Sequence, residues 1–138
     1  MDMKLELIVV PVADVDRAKA FYAEKAGFTV DVDFSAGEDF RVVQLTPPGS
    51  ACSIALMKNE EAAGSLQGLH LVVADIDAAR AEFAERGLEV EEVFHFGAGG
   101  RVPGHDPERR DYGSFASFRD PDGNGWLLQE VRSRGGAA

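Results

Sequence analysis

What most limits how this chain can fold is a pattern that it carries twice. Val10-Pro-Val-Ala-Asp14-Val-Asp16-Arg-Ala-Lys-Ala-Phe-Tyr22-Ala-Glu-Lys-Ala26-Gly27-Phe28 returns as Leu71-Val-Val-Ala-Asp75-Ile-Asp77-Ala-Ala-Arg-Ala-Glu-Phe83-Ala-Glu-Arg-Gly87-Leu88, and only Ala26 has no counterpart. Each copy reads as a strand, a tight turn, a helix and a closing turn. Asp14 and Asp75 are short acceptors suited to cap the first free amides of a helix, and Asp16 and Asp77 add negative charge to its first turn. Val15, Ala18 and Tyr22 fall on one helical face, as do Ile76, Ala79 and Phe83. Gly27 and Gly87 suit the left-handed residue that ends a helix. A repeat of this kind predicts a duplicated architecture.

Taken in order, the aliphatic run from Leu5 to Val12 predicts a strand covered on both faces. A helix over 15–25 follows. Residues 28–34 alternate strictly, which places Val30, Val32 and Phe34 on one face and Asp31 and Asp33 on the other. Strands over 40–45 and 52–57 complete the first half, and the small, polar stretch 59–67 is the linker. The second half repeats the order, with a strand over 68–73, a helix over 76–86 and a strand over 88–96. The symmetry then breaks at a glycine-rich, basic loop over 97–111, and a loop of this length in a compact domain is usually functional or disordered. Strands over 112–119 and 126–131 close the chain, and a Gly/Ala tail from Ser133 is expected to fray. The expected fold class is α+β, a single domain of two βαβββ modules over about 4–58 and about 68–132.

The 138 residues carry a formal charge of −10, so the long-range field disfavours nucleic acid and anionic membranes as partners. No apolar stretch approaches the ~20 residues of a membrane span. The first strand begins too soon after Met1 for a signal peptide, and the cytoplasm is the expected location. Cys52 is the single cysteine, which excludes an internal disulfide and a thiolate cluster and suggests a small core residue.

With the two modules laid out, Val12-Ala-Asp14-Val-Asp16 with Ala20-Phe-Tyr22, Val73-Ala-Asp75-Ile-Asp77 and Phe118-Arg-Asp120-Pro-Asp-Gly-Asn124 resemble the vicinal oxygen chelate (VOC) superfamily of glyoxalases, bleomycin resistance proteins and dioxygenases. Asp-Pro-Asp-Gly alone is only a turn signal; the combination with the repeat is what carries the resemblance, over nearly the whole chain. It implies a curved, cup-like mixed sheet with helices outside, and a homodimer. In the superfamily's enzymes a divalent metal is held by His, Glu or Gln from the first and last strand of each module. The matching positions here are Leu7, Ile54, Gly68 and Leu127, none of which has a donor atom on its side chain. A two-residue slip reaches His70 and Gln129 with Val9 and Leu56, a set without a carboxylate. The resemblance therefore leads to no metal, no cofactor and no catalytic residue.

His70 and Gln129 share strand faces with Gly68 and Leu127, which turns them toward the cup as ligand-binding groups; each also reads as a structural group bonded to backbone. Arg101 and Tyr112 are the loop residues expected to contact a ligand, whereas Arg109 and Arg110 read as solvated. The expected function is metal-free binding of a small molecule, similar to the bleomycin-binding resistance proteins. The alternative is a glyoxalase-like, metal-dependent lyase or isomerase acting on a vicinal-oxygen substrate.

Overall fold

The computed structural model describes residues 1–135. In order, the elements are β1 (Leu7–Val12), α1 (Val15–Ala20) running on as a π turn (Phe21–Lys25), β2 (Thr29–Ala36), β3 (Phe40–Thr46), β4 (Ser53–Lys58), β5 (Leu69–Val73), α2 (Ile76–Glu85), β6 (Phe94–Gly97), β7 (Gly100–Pro103), β8 (Phe115–Arg119) and β9 (Gly125–Glu130). One sheet has the order β1-β4-β3-β2 and the other β5-β9-β8-β6-β7. In each, the strand before the helix pairs in parallel with the last strand of its copy, and the other neighbours are antiparallel. The α+β class expected from the repeat is what forms. The second copy gains a strand, because the stretch read as the start of a long loop folds back as a β6–β7 hairpin. Among the described residues no helix is long and apolar enough to cross a membrane.

The chain forms two compact units. The first is Met1–Leu66 together with Asp120–Asn124, and the second is Gln67–Arg119 with the chain from Gly125 onward. In the first, Val10, Val12, Val43, Leu45 and Leu56 pack with Val15, Ala18 and Tyr22 of the helix, all buried. Asp14 Oδ1 accepts the Arg17 amide as the cap, and Gly27 takes the left-handed φ of 76° that closes the helix. The unmatched Ala26 explains the π turn: its amide reaches back to Phe21 O at 3.0 Å, a five-residue step that absorbs one inserted residue without breaking the helix. The bond that closes each helix is then the same in both copies, Phe28 N to Tyr22 O here and Leu88 N to Phe83 O there, both 2.9 Å.

Two strand expectations are corrected. β1 is covered on one face only: Val10 and Val12 are fully buried, while Leu7 and Val9 are 39% and 50% exposed. In β2 a bulge lies between Val30 and Val32. Val30 therefore pairs with the core residue Leu45, and Val32 with Gln44 on the other face. Asp33 turns toward the helix side, where Lys19 and Arg41 bind it at 2.8 and 2.9 Å.

The Asp120–Asn124 turn completes the first unit. Asp120 Oδ2 accepts from the buried Tyr22 hydroxyl at 2.7 Å and from Asn124 Nδ2 at 2.8 Å, and its Oδ1 accepts the amides of Asp122 and Asn124. Asn124 also donates to Pro11 O and accepts from the Leu66 amide. Asp122 Oδ1 receives the Ala13 amide and Arg17. The motif is thus a knot of charge-assisted hydrogen bonds.

In the second unit Phe83 of α2 packs on Phe118 at 5.7 Å, which stacks on Trp126 at 5.9 Å and 5°. Trp126 and Leu128 are buried on the helix side, as their register predicts. Cys52 is part-exposed, because it precedes β4, whose buried stretch begins at Ser53. The tail is held as far as Ser133, whose amide donates to Asp111 Oδ1; the rest of the expected fraying, at 136–138, lies outside the described residues.

Candidate ligand-binding site

Opposed residues in a sheet share a face, so register alone defines the surface of the second sheet that points away from α2. His70 pairs with Leu127 and Val72 with Gln129. Gln129 and Leu127 in turn oppose Phe115 and Ser117. Phe115 opposes Phe94, and Phe96 opposes Arg101 across the hairpin. The alternation that buries Trp126 and Leu128 under the helix sends an aromatic and polar set to the other side.

The centre of that face is a trio of phenylalanines. Phe94 and Phe115 stack at 5.6 Å and 21°. Phe96 meets Phe94 edge-on at 5.5 Å and 89°, and Phe115 at 5.2 Å and 69°. Phe94 and Phe115 are buried, but Phe96 is 58% exposed. A large ring is thus left open to solvent beside two packed ones. Arg101 places its guanidinium carbon 4.2 Å from the Phe94 ring centre, a cation–π geometry. At the other side His70 stands perpendicular to Phe115 at 6.3 Å, and its Nδ1 bonds Gly68 O at 2.7 Å. Ser117 donates to Glu91 Oε2.

Of the residues expected to bind a ligand, His70, Arg101 and Gln129 therefore share one face. Gln129 spends an amide hydrogen on Tyr112 O at 3.2 Å. Tyr112 joins only through its backbone, its ring being half-exposed at the end of a strap over 105–113. That strap is built, not merely solvated. Arg109 grips the fully buried Glu130 at 2.7 and 2.9 Å, and Arg110 binds Asp106 at 2.8 Å. His105 binds Asp77 at 2.9 Å. Arg109 and Tyr112 take left-handed φ values of 51° and 67°, unusual for residues with side chains. Glu130 Oε2 also accepts the Ile76 amide, the first of α2. Arg109 is the chief cause that holds the Glu130 carboxyl below its usual range, against burial, which raises it. Arg109 is thus held by a buried carboxylate rather than merely solvated, whereas Arg110, though paired with Asp106, keeps a side chain 67% exposed, as a solvated residue does.

The donor set does not fit a divalent cation. Among the described residues no group of three or more His, Cys, Asp or Glu is placed to hold a metal. Ile54, one expected ligand position, aligns with Ile8 on the helix side, while Leu7 aligns with Ser53. His70 and Gln129 offer only two side-chain donors and no carboxylate. The aromatic trio is not evident from the sequence alone, because Phe115 lies on a separate strand from Phe94 and Phe96, and the hairpin that sets Arg101 opposite Phe96 falls in a stretch that reads as loop. Its signal was present: Phe94-x-Phe96 alternates, Gly97-Ala-Gly-Gly is a turn, and Arg101-Val-Pro returns.

The profile of the Glyoxalase/Bleomycin resistance protein/Dioxygenase superfamily matches residues 4–128. The chain belongs to that superfamily. Similar solved structures include TnmS3, an antibiotic binding protein from Streptomyces sp. CB03234, at 34% identity, covering 94% of this chain and 97% of that one with a TM-score of 0.73. A glyoxalase/bleomycin resistance protein from the same Streptomyces is also 34% identical, over 92% of this chain and 100% of that one, with a TM-score of 0.66. YetH, an uncharacterized protein of Bacillus subtilis strain 168, is 25% identical over 94% of this chain and all of its own length.

Proposed function

We propose that this superfamily member is a metal-free binding protein for a small aromatic molecule, held on the phenylalanine face of the second sheet. The observation that carries the reading is the exposed Phe96 ring set edge-on against the buried Phe94–Phe115 stack, with Arg101 over Phe94. Aromatic surface with a few placed polar groups is the usual make-up of a small-molecule site. The likeness to TnmS3, an antibiotic binding protein, supports it. Sequestration of an antibiotic or toxic metabolite needs no catalytic group, whereas the lyase or isomerase alternative needs a cation site that these donors do not furnish.

The same proposal includes a homodimer acting in the cytoplasm. On the first sheet, the face away from α1 leaves Leu7 and Val9 on one edge strand and Val32 and Phe34 on the other between 39% and 50% exposed, large apolar side chains of the kind found at interfaces. A second copy of the chain is the occupant proposed for it.

Isothermal titration with 2-naphthoate tests the site, since that probe offers a flat ring system and an anion for Arg101. Binding weakened at least about five-fold by Phe96→Ala, with the probe recovered unchanged, is the expected result, in line with about 1 kcal/mol for a lost aromatic contact. Affinity that ignores Phe96 would reject the site.

A further inference from the structure

We infer that His70 is presented on this face as a hydrogen-bond acceptor, and that the preferred ligand is an aromatic molecule donating an O–H or N–H to its Nε2. The inference rests on the binding reading of the phenylalanine face. The decisive contact is local. His70 Nδ1 lies 2.7 Å from Gly68 O, and a carbonyl oxygen only accepts, so Nδ1 carries the hydrogen. In the uncharged ring that leaves the lone pair on Nε2. The carbonyl is delivered by Gly68, whose φ of +80° turns the chain just before β5 and is available to glycine at little cost.

Three features direct that lone pair to a ligand. His70 is exposed, and no partner for its Nε2 is present among the described residues. The imidazole stands perpendicular to Phe115 at 6.3 Å, so a ring laid on the trio arrives with its edge near the imidazole. Of the nearby polar side chains of the face, Ser117 donates its hydroxyl hydrogen to Glu91 and Gln129 commits an amide hydrogen to Tyr112 O. Arg101, at the far side of the trio, only donates. The face therefore has a defined polarity, with an acceptor at one end, aromatic surface between and a cation at the other. An aromatic acid or ketone with a phenolic hydroxyl matches all three; an aromatic without a donor leaves Nε2 unpaired when it covers it. Unmet polar groups in a covered site are a strong source of discrimination.

The test compares 6-hydroxy-2-naphthoate with 2-naphthoate by isothermal titration. The hydroxylated probe is expected to bind the wild type about ten-fold tighter. His70→Phe is expected to bring the two probes within about two-fold of each other, and His70→Gln, whose Oε1 can accept, to restore part of the preference. Equal affinities in the wild type, or a preference that survives in His70→Phe, would overturn this inference and leave the aromatic site standing. Failure of both probes to bind, or binding indifferent to Phe96→Ala, would overturn the site itself and the inference with it.

Discussion

Tyr22→Phe probes the bond that ties the Asp120–Asn124 turn into the first unit. The Tyr22 side chain is fully buried and Asp120 is 5% exposed, and the hydroxyl lies 2.7 Å from Asp120 Oδ2. Hydrogen bonds to charged groups contribute about 1.5–3 kcal/mol. The lower half of that range applies here, because Asp120 keeps Asn124 Nδ2 and the amides of Asp122 and Asn124. No cavity is created, since only an oxygen is removed and Phe83 occupies the matching position of the second copy. The expected loss is about 1.5–2 kcal/mol. With an unfolding entropy of about 2.1 cal/mol/K per residue and 138 residues, that corresponds to a Tm about 5–7 °C lower. Urea denaturation followed by circular dichroism measures it, with an unchanged m-value showing that the native state is intact. A loss below about 0.5 kcal/mol at constant m would refute the claim that this bond holds the turn.

Arg109→Met leaves Glu130 buried without its main partner and should cost about 3 kcal/mol at neutral pH, the low end for a broken buried pair because Arg109 is 31% exposed. Because the folded-state pKa of Glu130 is depressed, the wild-type pair contributes stability that is fully present above the ordinary value of 4.5 and is lost as pH falls through the folded value. The gap between variant and wild type in urea midpoints should thus narrow under acid; a gap constant with pH would assign the loss to packing alone. Deleting Ala26 should be tolerated better than deleting Ala84, by at least about 2 kcal/mol, since only the first gives a helix end that the chain already uses; equal losses would mean that the π turn does not absorb Ala26. Val9→Lys should shift sedimentation from a dimer to the 14.8 kDa chain, and a monomeric wild type would sink the proposed pairing.

The local signals in the sequence were strong wherever a residue's role depends on its neighbours in the chain. Asp75 accepts the amides of Asp77 and Ala78, Gly87 takes φ 86°, and the one unmatched residue appears as a π turn. Roles set by distant partners were not legible. Nothing near Glu130 announces that a carboxylate in a terminal strand is fully buried, because its partner Arg109 lies 21 residues earlier. The bulge in β2 was hidden by an alternation that looked unbroken. His70 and Arg101 could be singled out as polar residues in an apolar or acidic setting, but the rings between them depended on recognising a hairpin in glycine-rich sequence.

The first unit's dependence on Asp120–Asn124 has a consequence for how the protein is made. A ribosome has released nearly the whole chain before that turn exists, so the first unit waits with Asp120's partners, Tyr22 among them, unmet while the second is being synthesised. Its earliest folded form must be provisional, exposed to chaperones and proteases for longer than its position at the N-terminus suggests. A fragment ending at the linker would inherit that condition permanently. The two halves of the sequence repeat one pattern, but the first unit takes five residues from the second half, so the first half alone does not encode it.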